Sequence, residues 1–334
     1  MDAALIWIIF LVALALVFDF LNGFHDSANS IATIVSTRAL KPHWAVMWAA
    51  FFNFIAFLFF KLHVANTIGV GLIDTSIVDS QLIFATLIGA IFWNLFTWYY
   101  GIPSSSSHAL IGGLVGSAIV KGGVSSLHIM GITKVVASIF WAPMLGFFGG
   151  LILMYLLTLA VFRMTRWRVD RSFKIFQFFS SALISLGHGA NDAQKTMGII
   201  AILLFSSHLL DKFYVPIWVI ITCNFVMALG TFLGGWRIVK TMGLRITKLR
   251  PINGSCAEIV GASTLFLATH LGIPVSTTHT IAGAIFGVGA MRNASAVRWG
   301  IAKRIVAAWL ITMPAAGLVA GGVWLLTHWV NSHF

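Results

Sequence analysis

The chain has 334 residues, of which 59% are apolar and only 9% charged, and it carries two cysteines and a net charge of +12. An average soluble domain is about 25% charged, so the composition excludes a soluble globular fold of this length. Cys223 and Cys256 stand singly in apolar sequence, which excludes a disulfide scaffold or a cysteine metal site and leaves them as small packing residues. Apolar stretches long enough to cross a bilayer, about 20 residues each, begin near Ala3, Trp44, Leu82, Val135, Ile175, Ile217, Ala257 and Ile305. The first lacks a basic leader and runs directly into a polar segment, Asn22 to Asn29, so it reads as a retained span rather than a signal peptide.

Two polar motifs interrupt these stretches, and each occurs twice. Asn22-Gly-Phe-His-Asp26 is answered by His188-Gly-Ala-Asn-Asp192, and Gly101-Ile-Pro-Ser-Ser-Ser-Ser-His108 by Gly272-Ile-Pro-Val-Ser-Thr-Thr-His279. The halves therefore read as copies of one unit: a first repeat at 1–162, a basic cytoplasmic connector at 163–174, and a second repeat at 175–334. Paired broken segments inside apolar sequence point to a substrate and ion site between repeats. Gly-Ile-Pro ends one helical segment, and the hydroxyls after it are good N-caps for the next. Such a helix end presents N–H groups and a positive dipole, which suits an oxyanion. Ser104, Ser105, Ser106, Ser107, Ser276, Thr277 and Thr278 are the candidate substrate ligands. Small residues behind each motif, Gly112, Gly113 and Gly116, then Gly283, Ala284 and Gly287, predict close helix approach.

Charge placement gives the topology. Arg163, Arg166, Arg168, Arg171 and Lys174 cluster in one segment, Arg237 to Arg250 hold five more basic residues, and Arg292, Arg298, Lys303 and Arg304 mark a third. Basic loops of this kind face the cytoplasm, so the charge follows the membrane rather than a nucleic acid. The simplest arrangement is an all-α polytopic protein of about ten spans with both termini outside, two inverted-topology repeats and broken or re-entrant helices. The acidic connector around Asp74 and Asp79 then falls outside.

Acidic residues inside apolar stretches cost roughly 2.5 to 3.5 kcal/mol each on insertion scales, and they usually face a polar pathway. Asp19, Asp26, Asp192 and Glu258 are of this kind. Lys195 lies three residues past Asp192, on the same face of a helix, and is its expected partner. With Asn29 these form the candidate cation-coupling set. Asn22, His25, His188, Asn191, Gln194, His108 and His279 are supporting residues; for the four histidines, proton or anion handling and plain local hydrogen bonding stand as equal readings.

At these motifs the chain resembles the inorganic phosphate transporter (PiT) family in its compact bacterial form. The family signature reads here as Gly23-Phe-His-Asp26-Ser-Ala-Asn29 and Gly189-Ala-Asn-Asp192-Ala-Gln-Lys195, and the resemblance covers nearly the whole chain. It implies a secondary active symporter for inorganic phosphate in the plasma (inner) membrane, without cofactor or resident metal. It further implies a homodimer, with substrate held between the two Ser/Thr motifs. The second signature departs from the pattern, placing Gln194-Lys195 where Ala-Asn would stand. An ammonium there can neutralise Asp192 itself, which favours a proton over sodium as coupling ion, with phosphate alone or a metal-phosphate as substrate. A sulfate or other oxyanion permease is the alternative. An intramembrane aspartyl enzyme is a distant one, because the Gly-x-Gly-Asp element is absent and adjacent Ser107 and His108 point about 100 degrees apart on a helix.

Overall fold

A computed structural model of the protein describes residues 3–333 and is built of α-helices. The first half contains α1 (Ala3–Ser36), α2 (Pro42–Ile55), α3 (His63–Val70), α4 (Ser80–Tyr100), α5 (Ser106–Gly122) and α6 (Ile129–Val161). The second contains α7 (Arg166–Ser206), α8 (Ile217–Leu233), α9 (Trp236–Lys240), α10 (Pro251–His270), α11 (Thr277–Arg292) and α12 (Trp299–His333). The series repeats: a long helix carrying the aspartate motif, a bent pair, a helix, a short helix after the Ser/Thr motif, and a long helix with an internal proline. Those prolines, Pro143 and Pro314, occupy matching positions. The second helix of each pair turns sharply from the first, by 79° between Pro42–Leu58 and His63–Val70 and by 59° between Ile217–Leu233 and Trp236–Arg245.

Each Gly-Ile-Pro motif is the tip of a helical hairpin. Gly101 and Gly272 take φ of +64° and +67°, the left-handed region in which glycine escapes the Cβ penalty. Proline then supplies no N–H for continuation. Ser105 and Ser276 start the returning helices, accepting from the backbone N–H of His108 at 3.1 Å and His279 at 3.2 Å. Thr86 on α4 and Ser117 on α5 are hydrogen bonded at 2.9 Å, which lays the two arms of the first hairpin side by side. These hairpins are of the broken or re-entrant kind expected. With 17 and 16 residues, α5 and α11 rise about 25 Å, short of a hydrocarbon core of about 30 Å. Four single helices, α1, α4, α6 and α12, and the two bent pairs are long and apolar enough to cross. One revision concerns 163–174: Arg166 to Lys174 form the first turns of α7 rather than a loop, Arg and Lys being good helix formers.

The halves exchange their last helices. A Cβ on Gly116 of α5 would stand 2.2 Å from the Gly317 carbonyl oxygen of α12, and one on Gly287 of α11 would stand 2.1 Å from that of Phe147 on α6. Only glycine allows backbones so close, as the small-residue runs predicted.

Apolar side chains gather in two clusters. The first takes Leu11 to Phe18 of α1 and Ala193 to Leu204 of α7; the second takes Ala28 to Ile34 of α1 and Val169 to Ile184 of α7. The two long helices thus run through the clusters in opposite directions. Between the clusters each carries its polar motif, with Asp26 on one and Asp192 on the other. Outer faces expose large apolar side chains such as Phe140, Trp141 and Leu145 on α6 and Leu318 and Leu325 on α12, the surface a lipid-facing protein presents.

Candidate functional site

The tips of both hairpins meet the aspartate motifs of α1 and α7 in one buried polar centre. Asp192 is fully buried. Its Oδ1 accepts from Lys195 Nζ, its Oδ2 accepts from Thr277 Oγ1 at 2.9 Å, and His188 Nε2 lies 3.2 Å from Oδ2. Lys195 Nζ also donates to Ser107 Oγ on the first tip and to the Val275 carbonyl, 2.8 Å away, on the second. Asp26 has His25 Nδ1 at 2.7 Å, and the other nitrogen of that ring lies 3.1 Å from Thr97 Oγ1. Asn29 Nδ2 donates to Thr277 Oγ1 at 3.0 Å and Thr278 Oγ1 at 2.9 Å. Each long helix therefore reaches the hairpin tip of the other half. Asp26, His188 and Asp192 bring three ligand atoms within 4.8 Å of one another, a geometry able to hold a cation.

His108 and His279, on the first turns of α5 and α11, have ring centroids 4.7 Å apart, and His279 stacks on Trp309 at 4.2 Å. All four of their ring nitrogens are buried without a hydrogen-bond partner among the described residues. The capping geometry leaves the N–H groups of two helix starts converging from opposite halves, beside hydroxyls and ring nitrogens. Such a place suits a tetrahedral oxyanion, with a cation alongside.

Not every expected ligand is free to act as one. Ser105 and Ser276 are committed as caps, and Ser104 donates to Thr97 Oγ1 at 2.8 Å. The tip hydroxyls left facing the centre are those of Ser106, Ser107, Thr277 and Thr278, and Ser106 Oγ has no partner among the described residues. Gln194 serves the fold: its Oε1 accepts from the N–H groups of Val64 at 3.0 Å and Ala65 at 3.2 Å, and its Nε2 donates to the Lys61 carbonyl. It thereby caps α3 at the bend. Asn191 donates to Thr269 Oγ1 at 3.0 Å, and Asn22 Oδ1 is buried without a partner among the described residues.

Among the described residues neither Asp19 nor Glu258 shares a hydrogen bond with a hairpin tip. Asp19 accepts from Thr196 Oγ1 at 2.8 Å. Glu258 accepts from Thr33 Oγ1, from Gln177 Nε2 at 2.9 Å and from Ser180 Oγ, with Thr37 Oγ1 donating to Gln177 Oε1 at 2.7 Å. Both carboxylates are buried without a Lys or Arg partner among the described residues. Sequence reasoning missed Asn53, which faces His188 Nδ1 at 3.2 Å and donates to Thr231. Its signal was an amide alone in an apolar run, repeated as Asn224 at the matching position.

Broken helices whose tips enclose buried charges between two half-chains define a polytopic membrane transporter. The comparisons with known proteins agree. The phosphate transporter family matches residues 22–320, and the chain belongs to that family. It is 62% identical over 323 residues to a "Probable low-affinity inorganic phosphate transporter" of Rhizobium meliloti (strain 1021), covering 96% of this chain and 97% of the relative. A relative of the same description in Bacillus subtilis (strain 168) is 45% identical, with 94% and 95% covered. A solved structure titled "The sodium-dependent phosphate transporter" superposes with a TM-score of 0.90 at 25% identity, covering 97% of this chain and 99% of that one. The family consists of transporters, which sets the intramembrane enzyme aside.

Proposed function

We propose that this chain is a secondary active symporter that takes up inorganic phosphate across the plasma membrane with a coupling cation, the proton in preference to sodium. The observation that carries this reading is the meeting of two serine- and threonine-capped helix starts beside buried Asp26 and Asp192. Phosphate is held between Ser106, Ser107, Thr277 and Thr278 and the N–H groups of α5 and α11, where hydroxyl donors bind it without adding fixed positive charge. Inverted orientation of the two halves is supported by the opposite directions of α1 and α7, and we take the working unit to be a homodimer.

Competition for labelled phosphate uptake in proteoliposomes tests the substrate. Unlabelled phosphate should abolish accumulation of the label and sulfate should leave it; inhibition by sulfate at equal concentration would convert the reading to a general oxyanion permease. A divalent metal-phosphate as the transported species is a second reading, favoured by the carboxylate and imidazole atoms of Asp26, His188 and Asp192. Loss of uptake on chelating external divalent cations would support it.

A further inference from the structure

The two halves handle their aspartates differently at one pair of matched positions. Asn29 stands three residues past Asp26, and Lys195 three past Asp192. Both make the same crossing contact: Asn29 Nδ2 donates to Thr278 on the second tip, and Lys195 Nζ donates to Ser107, the residue matched to Thr278 on the first. The ammonium thus lies where the amide lies in the other half, with a full charge. Its acceptors are a carboxylate oxygen of Asp192, the Ser107 hydroxyl and the Val275 carbonyl. That donor set is the kind hard cations select, and an ammonium has three N–H bonds to offer it.

In the first half the corresponding atoms are left over. Asn29 Oδ1 and Ser106 Oγ are buried without partners among the described residues, whereas Thr277, matched to Ser106, is engaged by Asp192. No Lys or Arg forms an ion pair with Asp26 among the described residues, and its neighbour is His25. Two carboxylates and one ammonium leave the centre one negative charge in excess when His25, His188, His108 and His279 are neutral. A buried uncompensated charge costs several kcal/mol, so the centre calls for one further cation even before an anion arrives, and the orphaned oxygens place it in the first half.

We propose that Lys195 is a tethered resident cation, filling in the second half the place that an exchangeable ion takes beside Asp26, so that the transport cycle runs on a single exchangeable cation site. The proposal rests on the symport reading above. A tethered ammonium cannot be released, so no sodium ion can be coupled through that position, and the number of metal ions moved per substrate falls by one.

The test measures sodium dependence with and without the tether. Purified parent, Lys195→Asn and Lys195→Met proteins are compared in sodium chloride and choline chloride, by thermal unfolding in detergent without phosphate and by labelled phosphate uptake in proteoliposomes. The parent should show a sodium Hill coefficient of at most one in both assays. Lys195→Asn should gain a sodium-dependent stabilisation and about a tenfold sodium dependence of uptake, a coupling of ordinary size between linked sites. Lys195→Met, offering no oxygen, should gain neither. An unchanged sodium response in Lys195→Asn, or a parent Hill coefficient approaching two, would overturn the tether. Should the variants fail to insert, the parent's coefficient decides. Failure of the phosphate reading shows separately, as a parent that accumulates no labelled phosphate under any gradient.

Discussion

Glu258 and its surroundings have a counterpart in the other half, and the two could hardly differ more. The register that matches Asp26 with Asp192 and the two hairpins with each other places Leu87 opposite Glu258. It places Leu11, Leu14, Ile199 and Leu203 opposite Gln177, Ser180, Thr33 and Thr37. Leu11, Leu87, Ile199 and Leu203 are buried in the first apolar cluster, with Leu14 against it. Five polar residues on one side of the centre thus answer five aliphatic ones on the other. Packing does not require the polar set, because the same backbone arrangement is filled by leucine and isoleucine at the matched places. Burying a carboxylate is costly without compensation, so its presence in one half alone is an asymmetry that substitution can test.

The largest effect that would sharpen this contrast is at the shared centre. Asp26→Asn and Asp192→Asn should each abolish concentrative phosphate uptake; accumulation at the parent level in either variant would remove that aspartate from coupling. Next comes the one-sided cluster, probed by Thr33→Ile, Gln177→Leu, Ser180→Leu and Glu258→Leu together, which copies four of the five aliphatic counterparts and leaves Thr37 its bond to the Ile34 carbonyl. Replacing a buried polar network whole is often neutral for stability, while removing one partner costs about 1 to 3 kcal/mol for each group left unsatisfied. The fourfold variant should therefore unfold near the parent temperature yet transport poorly, whereas Glu258→Leu alone should be less stable than the fourfold variant. Full transport by the fourfold variant would reduce the polar cluster to an accident of packing.

Substitution of the tips should have a middling effect. Ser105 and Ser106 replaced by Ala, or Thr277 and Thr278 replaced by Ala, should raise the apparent phosphate constant. The second pair should do more harm, because Thr277 also donates to Asp192. Equal transport by both double variants and the parent would put the anion elsewhere. Gln194→Ala should cost about 1 kcal/mol by uncapping α3, read as a lower unfolding temperature with unchanged ion dependence. The smallest effect is expected on the acidic connector. Asp79 caps α4, accepting from the Leu82 N–H at 2.8 Å, and pairs with Lys121. Asp79→Ala should shift thermal stability by about 1 kcal/mol or less and leave uptake intact.

Features that depend on neighbours along the chain are legible in the amino-acid sequence alone. Hydropathy disclosed the membrane helices, and all eight apolar starts fall within long helices or the first member of a bent pair. Gly101 and Gly272 marked the turns because a left-handed residue favours glycine, and Ser105 and Ser276 marked the restarts because a hydroxyl can cap a helix only a few residues ahead. The pairing of Lys195 with Asp192 was legible for the same reason, three residues being one helical turn. Tertiary structure decided which helices lie beside which. It turned α4 with α5 and α10 with α11 into hairpins, exchanged α6 and α12 between the halves, and gave Gln194 to the end of α3. It also brought Thr33 of α1 and Gln177 and Ser180 of α7 around Glu258 of α10. No local preference encodes those contacts: a hydroxyl or amide in an apolar run announces that it needs a partner, and only the folded chain determines which one it meets.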